Sequence, residues 1–251
     1  MKHAILLFTL ILLLSSFYLK PRKKFIPPGT VQITEHFFAD ETEISNFSWR
    51  EYERSVANKY GFQSPEHLKT LPDTLVWKNS TAFNEPYVKC YYRHPAYKDY
   101  PVVGISYDQA MAFAKWRTET VKEYYAIVYK SELNIEYRLP SKKEWELISN
   151  SSGNILSANG TNKKGLPRLN CFRRDDTTCN ADIIAPVYSY QSNRFGLFNC
   201  LGNVAEMLQE PGISKGGSWI HPIESCRPGK DILYTKPESW LGFRCVCLVK
   251  T

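Results

Sequence analysis

The chain lacks the common patterns of a metal enzyme. Among its 251 residues are 5 histidines, and His36, His67, His94 and His221 stand far apart, with no H-x-x-x-H-like spacing. Non-haem iron is held by clustered histidines with a carboxylate, so this pattern argues against an iron site. No two cysteines have C-x-x-C spacing, which argues against zinc. Internal repeats and low-complexity segments are absent. Beyond the N-terminus there is no basic stripe of the kind that tracks nucleic acid, so none is expected as a partner.

What is present is the composition of a folded chain. It is 43% hydrophobic and 14% aromatic, enough to bury a core and unlike a disordered chain. The length suits one large domain or two small ones. Part of the formal net charge of +7 sits at the start, in Lys2, Lys20, Arg22, Lys23 and Lys24. The remainder reads as a mildly basic surface.

The N-terminus reads MKHAILLFTLILLLSSFYLKPRKK. Its apolar run, Ala4 to Leu19, is shorter than the ~20 residues of a typical membrane span and resembles the core of a secretory signal. No small-x-small cleavage pattern follows, and the basic cluster after it also suits an uncleaved anchor. No cysteine stands behind the run to take a lipid. Residues 1–24 are therefore expected to be a signal peptide or N-terminal membrane anchor, 25–34 (containing FIPPGT) a short rigid linker, and 35–251 one domain. Membrane contact is expected through the N-terminal segment alone. An exported chain permits disulfides. The seven cysteines, Cys90, Cys171, Cys179, Cys200, Cys226, Cys245 and Cys247, are odd in number, so at least one is free or pairs with another chain.

Local signals place the elements. FFAD predicts a strand, followed by a helix capped by Ser45 and stopped at Gly61. Residues 62–100 read as irregular, with one strand at TLVW. Ser106 with Gln109, and Ser141 with Glu144, are capping boxes opening two further helices. APVYSY and LGFRCVCLV read as strands. Few regular elements among many loops suggest an α+β domain.

The order of motifs is more informative than any one of them. FFADETEISNFSWREY, YPVVGISYDQAMAFAKWR, YRLPSKKEWE, NRFGLFNCLGNVAEM, SKGGSW and LGFRC follow one another over roughly residues 35 to 247. Taken together they resemble the formylglycine-generating enzyme, or sulfatase-modifying-factor, family. The stretch NEPYVKCYYRHPAYKDYPVVGISYDQAMAFAKWRT is similar to the branch found in gliding-motility and type IX secretion lipoproteins of the Bacteroidota. The resemblance implies a loop-rich α+β fold related to C-type lectins, and export to the periplasm or cell envelope. It does not fix an activity, because the family includes copper-dependent oxidases, iron enzymes and binding or assembly parts.

In the oxidases of the family, one cysteine follows the GGS turn and a second comes five residues later. Soft copper(I) is held between the two sulfurs. Cys226 matches the first position and Asp231 the second. A carboxylate is a poor ligand for copper(I), so the pair is broken, and Cys226 is expected to be a structural thiol or half of a disulfide. The resemblance also implies calcium. Asn199 and Glu206 would give side-chain oxygens and Gly202 and Val204 carbonyls, a donor set calcium accepts. A weaker second site would use Asn170 and the Cys171 carbonyl, with Asp175, Asp176 or Asp182 nearby.

Other motif residues read as scaffold. Arg138 and Glu144 are expected to pair, Trp145, Trp116, Trp219 and Phe243 to be buried, and Arg244 to anchor a buried carboxylate. Tyr87, Tyr91, Tyr92, His94 and Tyr97, with His221, are candidates for an exposed binding face. The resulting expectation is a non-catalytic, calcium-stabilised envelope protein that binds a protein partner, within a secretion or gliding machine. The alternative is a copper-dependent oxidase, acting on a cysteine or thiol through Cys226.

Overall fold

Three serines start the three longest helices among the described residues. Ser45, Ser106 and Ser141 are extended, and each side chain accepts a hydrogen bond from the backbone N–H three residues on. At Ser106 and Ser141 the reciprocal bond, from the serine backbone N–H to the side-chain oxygen of Gln109 or Glu144, is also made. Each box satisfies two of the four N–H groups a helix start leaves open. The helices are α1 (Asn46–Tyr60), α4 (Tyr107–Tyr129) and α5 (Lys142–Ser149). Two short ones, α2 (Pro65–Leu68) and α3 (Glu85–Cys90), lie between α1 and α4. A computed structural model describes residues 25–78, 84–150, 160–172 and 183–250.

Among the described residues the strands are short and form two four-stranded sheets. One has the order β1 (Thr30–Gln32), β2 (Phe37–Asp40), β8 (Val246–Val249), β3 (Ile135–Arg138) and is antiparallel throughout. The other has the order β6 (Ile232–Leu233), β5 (Ile213–Lys215), β4 (Ala205–Met207), β7 (Leu241–Gly242), with β4 and β7 parallel. The expected strand LGFRCVCLV is thus two strands. Phe243, Arg244 and Cys245 carry the chain from one sheet to the other, and all three are fully buried.

The main core joins α1 and α4 to the first sheet. Trp49 stacks on Phe113 with ring centroids 5.4 Å apart, and Phe243 meets both edge-on. Such aromatic contacts bury large areas and fix the angle between elements. The indole N–H of Trp49 donates to the Thr70 carbonyl at 2.8 Å, so burying it leaves no polar atom unpaired.

Four expectations are corrected. TLVW is a 3₁₀ turn, because Asp73 caps Leu75 N–H and the turn buries Trp77. APVYSY forms no strand. Its Ala185 N–H donates to the Asn203 side chain and Val187 N–H to the Asp99 carbonyl, leaving no ladder to join. Residues 25–34, expected as a rigid linker, are part of the domain, since β1 pairs with β2 and the Arg117 guanidinium donates to the Pro28 carbonyl. Trp116 and Trp219 are half-buried, whereas Trp145 and Phe243 are fully buried. The Arg138–Glu144 pair forms through two hydrogen bonds of 2.6 and 2.7 Å.

Candidate functional site

The site of interest is a knot of three loops around residues 199–206. Asn199, Gly202 and Asn203 have φ of 49°, 80° and 64°, a left-handed conformation that favours Gly and Asn. Gly202 has a second constraint. A Cβ there would stand 2.4 Å from the Asn170 carbonyl oxygen. The loop is tied by Gly202 N–H to Gly216 O and by Asn203 N–H to Asn170 O, both 2.7 Å. Segments 170–172, 199–206 and 215–226 are thereby held as one unit.

Buried charge sits on one side of this knot. Arg244 places Nε 2.8 Å from each Glu206 oxygen and Nη2 2.6 Å from one of them. Both residues are fully buried. The Trp145 indole adds a third donor to Glu206 at 2.7 Å. The expectation that Arg244 anchors a buried carboxylate is met, and that carboxylate is Glu206. This conflicts with the role of Glu206 as a calcium ligand, because both its oxygens are committed to a cation and an indole. Asn199 likewise turns its amide N–H groups to Glu43 and the Val187 carbonyl, at 3.2 and 3.1 Å. Of the set Asn199, Gly202, Val204 and Glu206, it is Glu206 whose oxygens are held by Arg244 and Trp145 rather than standing free for an ion.

Glu43 is the residue that the sequence reading missed. Its carboxyl is fully buried and accepts from Asn203 Nδ2 at 2.9 Å as well as from Asn199. Burial pushes its pKa up to about 8, against the opposing charge of Arg244 and with help from Glu206. Asn203 was missed too. Its side chain bonds Glu43, Ala185 N–H and C=O, and Asn170, so it cross-links three segments. The signal was present, since Glu43 lies in FFADETEISN and Asn203 beside Gly202. Nothing local says that they meet.

The second candidate calcium position has a different environment. Asn170 is fully buried, and its Oδ1 has no hydrogen-bond partner among the described residues. A buried carbonyl oxygen without a donor is costly, and a cation is one way to satisfy it. Asp175, Asp176 and Asp182 lie outside the described residues, as does Cys179. Among the described residues no three His, Cys, Asp or Glu side chains converge as a metal site.

Cys226 is fully buried at the end of a 3₁₀ turn, Ile223–Cys226. Its thiol packs so closely on Gly217 that a Cβ there would stand 2.4 Å from Sγ. It also forms a hydrogen bond with the thiol of Cys171, which with burial pushes its pKa well above the ordinary thiol value. The neighbouring strands of chain explain the meeting. Phe172 N–H donates to His221 O at 2.9 Å, and Phe172 bridges Pro222. Asp231 does not serve Cys226. Its carboxylate pairs with Lys142 and, at 2.9 Å, with the fully buried Lys215, and these hydrogen bonds lower its pKa.

The proposed binding face is largely dismantled. Tyr91 and Tyr92 are buried, because Tyr91 packs 4.6 Å from Trp77 and donates to Pro101 O, and Tyr92 donates to the Glu53 carboxylate. Tyr87 and Tyr97 are half-buried in the same aromatic cluster. His94 is exposed but caps its own 3₁₀ turn through Ala96 N–H. His221 is half-buried, with Nδ1 2.6 Å from Ser218 Oγ and its ring edge-on to Trp240. Burial lowers its pKa.

This architecture of helices and two small sheets with modest regular structure agrees with what comparison finds. Residues 11–249 match the family described as sulfatase-modifying factor enzyme 1-like domain, and the chain belongs to that family. A mouse relative named inactive C-alpha-formylglycine-generating enzyme 2 is 25% identical over 265 residues, covering 87% of this chain and 77% of that protein. A Chlamydia pneumoniae relative named serine/threonine-protein kinase pkn1 is 29% identical over 116 residues, 46% of this chain but 14% of that protein. Among solved structures, CarF superposes with a TM-score of 0.54 at 20% identity, covering 85% of this chain and 87% of CarF. PvdO from Pseudomonas aeruginosa gives 0.53 at 17% identity, covering 85% and 80%. The fold is that of this family, mixed helix and sheet with modest regular structure.

Proposed function

We propose that this protein is a non-catalytic member of the family, a binding or assembly part of the cell envelope. One observation carries the reading. Cys226 and its neighbour Cys171 are both sealed from solvent, and the pKa of Cys226 is driven up, away from the thiolate that copper(I) needs. An oxidase of this class must offer its metal to a substrate thiol. Here the nearest carboxylate by sequence analogy, Asp231, is held by two lysines. A relative named inactive is in keeping with this. The envelope location draws its support from the apolar N-terminal run and from the resemblance to gliding and type IX secretion proteins. A protein is the expected partner. Calcium is proposed as a structural ion at Asn170, whose orphaned Oδ1 supports that position over the Asn199 to Glu206 set.

The opposing reading also has one supporting observation, since two sulfurs do meet at Cys226. The test is direct. The purified protein is titrated with copper(I) without oxygen, then given a cysteine peptide and oxygen. No aldehyde is expected on the peptide. Aldehyde formation that disappears in Cys226→Ser would overturn the proposal.

A further inference from the structure

The last two turns of α4 are apolar and face solvent. The helix buries Ala110, Phe113 and Ala114 near its start, and no residue after Ala114 is fully buried. Its end reads YYAIVY, residues 124–129. Tyr124, Ile127, Val128 and Tyr129 are 62, 61, 48 and 61% exposed. An apolar helix tip of this kind is not needed by the core, and exposed apolar clusters mark contact sites.

The described chain begins at the same place. Phe25 meets Tyr125 edge-on with ring centroids 5.3 Å apart, and Tyr125 in turn packs on Tyr129 at 4.6 Å. Ile26 beside it is also exposed. Just ahead of Phe25 in sequence lie Lys20, Pro21, Arg22, Lys23 and Lys24, and ahead of those the apolar run Ala4 to Leu19. Even fully extended, the link from Leu19 to Phe25 spans at most about 20 Å.

We infer that the α4 tip, Tyr124, Ile127, Val128 and Tyr129, is a membrane-contact surface that lies in the lipid headgroup interface beside the N-terminal segment. The inference rests on that segment acting as an anchor. If the run is held in the bilayer, the tether keeps the tip within about 20 Å of it. The chemistry of the tip suits that position. Tyrosines favour the membrane–water interface, where one end of the ring is apolar and the other wet, and aliphatic neighbours add buried area. Charges around the tip cancel, Lys122 and Lys130 against Glu123 and Glu132. Attraction to anionic lipid therefore comes from Lys20, Arg22, Lys23 and Lys24, and the tip contributes apolar burial. No helix among the described residues is long and apolar enough to cross a membrane, so α4 touches the bilayer without spanning it. The contact orients the domain, setting which loops face away from the lipid.

The test uses the full chain in vesicles of phosphatidylcholine with a minority of phosphatidylglycerol. Ile127→Trp, with Val128→Trp as a second reporter, adds an indole to the tip. Leu75→Trp is the control. Leu75 is 63% exposed on the 3₁₀ turn tied by Asp73 N–H to Gly104 O, beside the opposite end of α4. In brominated phosphatidylcholine, the emission added at 127 or 128 is expected to lose most of its intensity, and that added at 75 to keep it and be quenched by acrylamide. If the protein floats with vesicles but residue 127 answers to acrylamide and not to bromolipid, the tip is in water, and the inference fails while the anchor stands. Protection from both quenchers, with tip-to-tip cross-links, would assign the surface to a second copy and overturn the inference. Failure to float with vesicles would remove the anchor, and the inference with it.

Discussion

The thiol of Cys226 lies against the thiol of Cys171, and both are fully buried in one cluster with Trp145, Leu169, Leu201 and Leu208. Cys200, Cys245 and Cys247, the other buried cysteines among the described residues, belong to different clusters. Isolated from oxidants the pair stays as two thiols. With a small-molecule disulfide as oxidant, its S–S bond breaks, it takes up the two thiol hydrogens to leave as two thiols, and one S–S bond forms between Cys171 and Cys226. Peptide mapping without reduction, after alkylation, should recover a 171–226 linked pair. Closing a loop of roughly 55 residues stabilises by about 4 kcal/mol in the chain-entropy account, so reduction should lower the unfolding midpoint. A 226–200 or 226–245 link would show that the packing described is wrong.

Removing one member of the Arg244–Glu206 pair should be severe. Arg244→Met leaves Glu206 buried with the Trp145 indole as its remaining donor, and Glu43 loses the nearby positive charge. Breaking a fully buried pair from one side costs about 3–5 kcal/mol. Urea unfolding should show this loss for Arg244→Met. A loss below about 1 kcal/mol, the scale of an exposed pair, would mean the pair is hydrated in solution.

Two glycines with positive φ should respond differently to alanine. Gly202 has φ 80° and a Cβ would meet the Asn170 carbonyl oxygen at 2.4 Å, while Gly61 has φ 101° and open space. Gly61→Ala should cost about 1–2 kcal/mol, for strain alone. Gly202→Ala should cost more, because backbone must move as well, and about 3 kcal/mol is expected. Equal midpoints for the two variants in thermal melts would contradict the close approach.

Acid should weaken the contact between α1 and the segment after it. Glu53 is buried, which opposes its ionisation, but hydrogen bonds from Arg93, Tyr92 and His67 outweigh burial and lower its pKa. A depressed carboxylate contributes stability that is complete above its unfolded value, about 4.3, and that is lost as pH falls through the folded value. The wild-type melting temperature should therefore drop below about pH 4.3. Glu53→Gln should be less stable at neutral pH, with a flatter acid limb. Parallel pH profiles would rule out this contribution.

Much of the scaffold was legible because its causes are local. Ser106 with Gln109, Ser141 with Glu144, and Arg138 with Glu144 lie within a helical turn or two, and the order of motifs along the chain gave the family. TLVW and APVYSY misled because their β-favouring residues are claimed by an Asp73 cap and by the Asn203 side chain, partners that propensity does not see.

The site itself was decided by tertiary structure. Sequence put Glu206 at a calcium position and Cys226 opposite Asp231. Packing gave Glu206 to Arg244, Cys226 to Cys171 and Asp231 to two lysines. It turned Tyr91 and Tyr92 inward and brought the unremarked Glu43 to Asn199 and Asn203. The physical reason is common to all of these. A buried charge, thiol or phenol has to find a partner or a dry niche, and in a fold with this little regular structure those lie on segments remote in the chain. Residue type and spacing thus determined the helix caps, the local pairs and the family, and the three-dimensional meeting of loops decided which groups are buried and what each one does.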